Sequence, residues 1–280
     1  MDSSLISAQK LLKTKYEEDG YCYVEDFFTA QETRSLEKEI RSARERFPSG
    51  LSKNGLVFRQ HLYFHSAFIR QLLSQPKMVD LLRNFIGPSF WLRKDQGVFK
   101  KPGGIEFPWH QDNGYNGIRD AYLQLWIPLT KMNAENGALS ILPGSHRNGI
   151  LPHRYEEPYL VWNGGDVRHA VTVEAKPGDV LLFSSLLLHR SGPNNTREER
   201  IAYVAELMSS DHYDPDATPP YFQMAADGKP DPRFVRFYKG NLLPQNRLKY
   251  LFPRTLRNLS IWKGHVGKIM RRFSPSLKNP

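Results

Sequence analysis

From about residue 90 onward the chain is a series of short runs rich in aromatic and β-branched residues, separated by turn-forming Gly, Pro and Asn. Many short strands with turns between them are typical of a β-sandwich or β-barrel. We therefore predict a mainly β (α+β) fold with a jelly-roll (cupin-like) core at about 88–210. The runs predict strands at 90–99, 105–111, 122–130, 138–142, 169–175, 179–184 and 200–208.

The residues before this core have helical patterns. The apolar residues of 5–19 recur at helical spacing, and Gly20 follows as a helix end. The sequence of 21–24 predicts a short strand. Thr29-Ala30-Gln31-Glu32 matches a capping box, in which the Thr and Glu side chains bind the first free amides of a helix. A further short helix is predicted over Lys77–Ile86. Helices gathered before the strands predict N-terminal helices packed on one sheet.

Composition limits the class of protein. The 280 residues include a single cysteine, Cys22, which excludes an internal disulfide framework and any Cys-based zinc or iron–sulfur site. No apolar run is long enough for a spanning helix, and the first residues lack the pattern of a signal peptide. We expect a cytoplasmic protein, a monomer or a weak oligomer, with peripheral binding to a membrane left open.

The segment Trp109-His110-Gln111-Asp112 places an imidazole and a carboxylate two residues apart. On an extended backbone these side chains point the same way. One more imidazole would complete the two-His, one-carboxylate set of non-haem Fe(II) oxygenases. The pair alone is a weak signal, and its partner has four candidates: His146, His153, His169 and His189.

His189 has the most informative surroundings. It follows a turn and a buried run, Gly178–Phe183, and a further turn leads to another run that starts at Arg200. Arg200 therefore returns beside the His189 strand. A guanidinium close to a metal can bind a carboxylate in two-pronged geometry, which Lys does not reproduce.

Several motifs occur in a recognisable order. They are Asp19-Gly20-Tyr21-x-x-Val24, His110-Gln111-Asp112, Asn136-Gly137-Ala138-Leu139 leading into Leu142-Pro143-Gly144-Ser145-His146, Pro177-Gly178-Asp179, and His189-x-Ser191 with Arg200. Together they resemble the phytanoyl-CoA dioxygenase (PhyH-like) family of Fe(II)- and 2-oxoglutarate-dependent oxygenases. The resemblance covers roughly residues 15–210 and implies a double-stranded β-helix.

The resemblance also implies roles for individual residues. His110, Asp112 and His189 would ligate Fe(II). Arg200, assisted by Ser191, would bind the distal carboxylate of 2-oxoglutarate, and Trp126 would line the cosubstrate pocket. Halogenating relatives replace the carboxylate ligand with a small residue, so Asp112 implies a hydroxylase or a related oxidising enzyme.

The implied reaction is hydroxylation of an unactivated C–H of a small or amphiphilic substrate. O2 is consumed, and 2-oxoglutarate is decarboxylated to succinate and CO2. No catalytic residue beyond the metal site is predicted. A soluble secondary metabolite or an acyl-thioester is the alternative substrate. The alternative of another class is a non-catalytic metal- or lipid-binding module.

The C-terminal extension, predicted as 233–280 after an oxygenase domain of 1–232, carries the excess positive charge. It holds twelve of the 39 Lys and Arg and no Asp or Glu. Apolar residues at spacings of three and four predict a basic amphipathic helix, typical of an interfacial membrane segment. Membrane binding through 245–280 would favour a lipid-linked sugar substrate of the lipopolysaccharide inner-core type. Packing on the barrel and nucleic-acid binding are the other interpretations. The candidate membrane-binding residues are Arg254, Arg257, Trp262, Lys263, Lys268, Arg271 and Arg272.

Overall fold

A computed structural model describes residues 3–46, 52–116 and 118–248. Within these ranges a large antiparallel sheet faces a small one. The strands are β1 Tyr21–Val24, β2 Ser52–Lys53, β3 Leu56–Gln60, β4 Phe90–Lys100, β5 Phe107–His110, β6 Leu123–Pro128, β7 Leu139–Ile141, β8 His153–Glu156, β9 Tyr159–Trp162, β10 Val171–Val173, β11 Val180–Ser184, β12 His189–Ser191, β13 Arg200–Ser209, β14 Tyr221–Ala226 and β15 Lys229–Val235. The helices are α1 Ser3–Asp19, α2 Ala30–Arg46, α3 Ala67–Leu73, α4 Pro76–Ile86, α5 Asp112–Asn116, α6 Lys239–Leu242 and α7 Pro244–Leu248.

The large sheet has the order β1-β11-β6-β13-β4-β14-β15, with β3 also paired to β4. The small sheet has the order β10-β7-β12-β5, and β8 and β9 form a separate hairpin. Each predicted strand is present, with ends that differ by at most two residues. The strands β2, β3, β8, β9, β12, β14 and β15 lie outside the predicted ranges. The predicted jelly-roll core is confirmed.

The alternation of side chains along β6 shows how the large sheet serves two purposes. Leu123, Leu125 and Ile127 pack in the core shared with the helices. Gln124 and Trp126 point to the opposite face and line a cavity between the sheets. One face of the sheet is therefore a structural core, and the other face carries the functional groups.

The helices cover the outer face of the large sheet, as predicted. Leu36 and Ile40 of α2 and Met78 of α4 are buried in the same cluster as the strand residues. The capping box is present: the amide of Glu32 donates to Thr29 Oγ1 at 3.2 Å, and the amide of Thr29 donates to Glu32 Oε2 at 2.8 Å. α1 ends at Asp19 and is followed by Gly20, whose φ of +82° suits glycine.

The predicted domain division after residue 232 falls inside β15, which pairs with β14 in the large sheet. Beyond it Tyr238 is buried against Trp91 and Tyr221. The division itself stays a prediction. The seven candidate membrane-binding residues between 254 and 272 lie outside the described residues. Among the described helices, none combines the length and apolar character that crossing a membrane requires.

Candidate metal centre

The small sheet brings two distant histidines together. β5 and β12 pair antiparallel with His110 directly opposite His189, and the centres of the two imidazole rings are 4.1 Å apart. Asp112 arrives differently from the sequence prediction. β5 ends at His110, and Asp112 is the first residue of α5 rather than a strand residue. The chain turn, and not strand alternation, aims this carboxylate at the imidazoles.

The three side chains form a compact ligand set. Asp112 Oδ1 is 3.8 Å from His110 Nε2, and Asp112 Oδ2 is 3.8 Å from His189 Nε2. One donor atom from each residue lies within 4.8 Å of the others. Two imidazoles and one carboxylate are a donor set suited to non-haem Fe(II). Of the four candidate histidines, only His189 joins this set among the described residues.

Backbone carbonyls fix the orientation of both rings. His110 Nδ1 bonds the carbonyl of Pro108 at 2.8 Å, and His189 Nδ1 bonds the carbonyl of Leu187 at 3.0 Å. Each Nδ1 therefore carries the proton, and each Nε2 presents its lone pair to the shared space. This arrangement fits a resident metal ion.

Burial of the site disfavours charge on its own groups. Burial and the neighbouring His189 hold the pKa of His110 well below its ordinary value. Burial raises the pKa of Asp112. A divalent cation among these groups would favour the ionised carboxylate and neutral imidazoles.

Gln124 and Gln111 support the ligands. Gln124 Nε2 donates to Asp112 Oδ2 at 2.8 Å. Gln111, fully buried between the ligands in sequence, donates to the Gly149 carbonyl at 2.9 Å and accepts from the Leu151 amide at 2.8 Å. The backbone amide of Gln111 donates to His153 Nε2 at 3.1 Å. The candidate histidine His153 therefore contacts the segment between His110 and Asp112.

The other candidate histidines lie away from the ligand set. His146 Nε2 is 3.3 Å from the carbonyl of Glu17, where it contacts the end of α1. His169 is exposed to solvent. Neither His146 nor His169 is part of the ligand set.

At the other end of the cavity Arg200 forms part of the wall, and Lys100 is buried beside it. Arg200 of β13 is directly opposite Lys100 of β4. Arg200 Nη2 donates to the Gly137 carbonyl at 2.9 Å, and its Nε has no hydrogen-bond partner. Lys100 Nζ donates to Ser191 Oγ at 2.8 Å and to the Gly192 carbonyl. Among the described residues, neither cation has a carboxylate within 4.0 Å.

This pairing of cations has a measurable electrostatic consequence. Burial lowers the pKa of Arg200 to about 10. Burial, together with the charge of Arg200, lowers the pKa of Lys100 to about 6. Both shifts mean that the protein alone leaves these positive charges uncompensated. An anion bound between them would supply the missing partner.

Sequence reasoning missed Lys100. Its signal was a lysine two residues after Val98, on the inward parity of β4, where an apolar side chain would be expected. The predicted strand ended at residue 99 and so did not include Lys100. Ser191 and Trp126, which were predicted, line the same cavity as Arg200 and the three ligand residues. The cavity has a volume of about 500 Å³.

Comparisons with known proteins agree with this geometry. The sequence model described as phytanoyl-CoA dioxygenase (PhyH) matches residues 16–202. A probable alpha-ketoglutarate-dependent hypophosphite dioxygenase from Stutzerimonas stutzeri is 31% identical over 228 residues, covering 68% of this chain and 77% of the relative. A methylphosphonate hydroxylase from Gimesia maris is 30% identical over 200 residues, covering 66% and 75%.

Solved structures confirm the fold. The epimerase SnoN, crystallised with Fe3+, alpha ketoglutarate and nogalamycin RO, superposes with a TM-score of 0.64. It has 20% sequence identity and covers 82% of this chain and 98% of its own. The chain belongs to the phytanoyl-CoA dioxygenase family and is an Fe(II)- and 2-oxoglutarate-dependent dioxygenase.

Proposed function

We propose that His110, Asp112 and His189 hold Fe(II), and that Arg200, Lys100 and Ser191 bind the distal carboxylate of 2-oxoglutarate. The enzyme then hydroxylates an unactivated C–H of a small substrate. The substrate, 2-oxoglutarate and O2 give the hydroxylated product, succinate and CO2. One observation carries the proposal. A single cavity is lined by the two-His, one-carboxylate set and by Arg200 and Ser191, and the buried Lys100 contacts Ser191; among the described residues neither Arg200 nor Lys100 has a carboxylate within 4.0 Å.

The protein's contribution is positioning and exclusion of water. Iron, when bound, supplies the oxidising chemistry. Lys100 and Arg200 fix one end of the dicarboxylate, so its keto-acid end is directed to the metal ligands. Trp126, Leu139 and Phe183 line the cavity between the two ends and are buried. These apolar walls keep water from the reacting groups.

The cavity favours a small soluble substrate. Its volume must accommodate both 2-oxoglutarate and the substrate. The two relatives of about 30% identity have names that denote hypophosphite and methylphosphonate, both small oxyanions. These observations support the soluble-metabolite alternative of the sequence prediction over a bulky substrate.

Succinate formation tests the proposal. Wild-type protein with Fe(II) and 2-oxoglutarate should form succinate in air, and His189→Gln should reduce the rate to background. His169→Gln, which changes an exposed histidine outside the ligand set, should behave as wild type. Fe(II) should also raise the melting temperature of wild type and His169→Gln but not of His189→Gln. Wild-type protein that forms no succinate would instead support the non-catalytic module.

The membrane form of the proposal places the reaction at an anionic surface, on a lipid-linked sugar of the lipopolysaccharide inner-core type. Its support is the basic, amphipathic sequence of 254–273. Each base near an anionic surface contributes about 1 kcal/mol of binding free energy. Co-sedimentation with anionic liposomes should decrease when residues 249–280 are removed. Equal binding of the full-length and the truncated protein would contradict the membrane proposal.

A further inference from the structure

A β-bulge in β4 changes which side chains reach the cavity. Lys94 pairs with Glu206 of β13, whereas Leu92 pairs with Leu207, so Arg93 has no partner on β13. In a regular strand consecutive side chains would point to opposite faces. Here Arg93 and Lys94 both line the cavity. A bulge of this kind redirects side chains next to functional sites.

Arg93 is neutralised within the protein. Its Nη1 donates to Glu206 Oε2, and its Nε donates to Asp214 Oδ2 at 2.6 Å. The Asp214 side chain is fully buried behind it. Two carboxylates therefore surround one guanidinium, and Arg93 holds Glu206 in position beside the cavity.

Lys94 differs from its neighbour. It lies half-buried in the cavity wall, directly across from Glu206. Among the described residues no carboxylate lies within 4.0 Å of its ammonium. An ammonium facing a cavity without a partner is suited to an anionic ligand. Burial lowers the pKa of the nearby His61, and the charge of Lys94 lowers it further, whereas Glu206 acts in the opposite direction.

Gln124 of β6, which pairs with Glu206, has a side-chain acceptor without a donor. Its Nε2 faces the carboxylate of Asp112, which accepts hydrogen bonds when ionised. Its Oε1 is therefore turned away from Asp112, is buried, and has no donor. Buried acceptors without a donor are rare in folded proteins and often mark a ligand position. Glu206 lies between Gln124 and Lys94 in the register.

We propose that Lys94, Glu206 and Gln124 form the substrate subsite, and that it binds a compact organic oxyanion such as a carboxylate, sulfonate or phosphonate. The anionic group binds the Lys94 ammonium. A hydroxyl or amine hydrogen of the same substrate donates to Glu206 or to Gln124 Oε1. Because Gln124 contacts Asp112, this places the bound molecule next to the metal ligands. The inference rests on the proposed function, since it assigns the opposite end of the cavity to 2-oxoglutarate.

Binding of matched probes tests the subsite. Butyrate, propanesulfonate and propylphosphonate are compared with butyramide, which has the shape of butyrate but no charge. The protein carries Fe(II) and saturating 2-oxoglutarate without oxygen, so the Lys100–Arg200 end is filled. We expect the three oxyanions to bind at millimolar concentrations in equilibrium dialysis, and butyramide to bind at least about tenfold more weakly, because it lacks the charge-assisted hydrogen bond.

Variants assign that binding to Lys94. Lys94→Gln should weaken oxyanion binding by about tenfold or more and leave butyramide unchanged, because a charge-assisted hydrogen bond is lost. Lys94→Arg should restore part of the affinity. Lys101→Gln, which removes an exposed lysine next to β4, should bind as wild type.

Several results would overturn the inference. They are equal binding of butyrate and butyramide, no binding of any oxyanion to wild type, and oxyanion binding that Lys94→Gln does not change. The measurement involves no turnover. Failure to form succinate in air would therefore reject the proposed function while leaving the oxyanion subsite established by its own result.

Discussion

Two cross-strand pairs between β4 and β13 define the two ends of the cavity, and they are electrostatically opposite. Lys100 faces Arg200, which places two basic side chains together, whereas Lys94 faces Glu206. Like charges directly opposite in a sheet destabilise it, and unlike charges stabilise it. Val98 and Ala202 form an apolar pair between them. At one end the fold therefore places two basic groups together, which costs stability whenever both are charged and no anion is bound. At the other end Arg93 pairs with Glu206 and Asp214, and among the described residues Lys94 has no carboxylate within 4.0 Å.

The largest expected effect comes from breaking the compensated end. Arg93→Met leaves Glu206 and Asp214 buried without their cation, and we expect the free energy of unfolding to fall by about 3–5 kcal/mol. Urea denaturation measures it. Arg168→Met, which breaks an exposed pair with Asp166, is the matched control and should leave the free energy of unfolding close to that of wild type. Equal effects of the two variants would contradict the contrast between the ends.

Arg200→Met tests the uncompensated end. We expect 2-oxoglutarate affinity to fall roughly 100-fold, because a buried cation that binds a carboxylate is lost. The free energy of unfolding should not fall by more than about 1 kcal/mol, since no carboxylate is left unpaired. Calorimetric titration of the Fe(II) protein without oxygen and urea denaturation give the two values. Large destabilisation with unchanged affinity would make Arg200 a structural residue.

The pKa of Lys100 predicts how 2-oxoglutarate binding depends on pH. With a pKa of about 6, Lys100 is mostly neutral in the free protein at neutral pH. A bound carboxylate favours the charged form, so binding takes up a proton above that pH. Affinity should therefore fall as pH rises above 6, by up to about tenfold per pH unit. Titrations in buffers of different ionisation enthalpy measure the proton uptake, and Lys100→Met should abolish it.

Ser191→Ala gives the smallest expected effect. It removes the hydroxyl that accepts from Lys100 Nζ, while two backbone carbonyls still hold the ammonium. We expect 2-oxoglutarate affinity to fall about threefold to tenfold, which corresponds to one neutral hydrogen bond. The same titration measures it. A loss as large as that of Arg200→Met would show that Ser191 binds the cosubstrate directly and dominates that end.

The sequence predicted most of the scaffold, because period-two alternation and turn residues determine local structure. The strands around His110, Trp126 and Arg200 are where they were expected. The expectation that His110 and Asp112 lie on one extended backbone was wrong, since Asp112 begins α5. Between the strand and the helix, the Gln111 side chain is hydrogen-bonded to the backbone of Gly149 and Leu151. These contacts join distant parts of the chain and have no local pattern in the sequence.

The ends of the cavity were harder to predict. Lys100 and Lys94 are charged residues in a strand, and their inward direction depends on strand parity. The bulge at Arg93 changes that parity and has no pattern of its own in the sequence. The ion pair of Arg93 with Asp214 joins residues that are far apart in the chain. Such contacts require the tertiary fold.

The bulge also makes β4 sensitive to length. Upstream of Arg93 the even-numbered Phe90 and Leu92 face the helical core, whereas downstream the odd-numbered Gly97 and Phe99 do so. Deleting one residue at this point would bring the strand back into phase. Either the helical core or the Lys94 subsite would then receive the wrong side chains. We therefore expect insertions and deletions in β4 to alter recognition of the substrate's anionic group in this fold as readily as substitutions do.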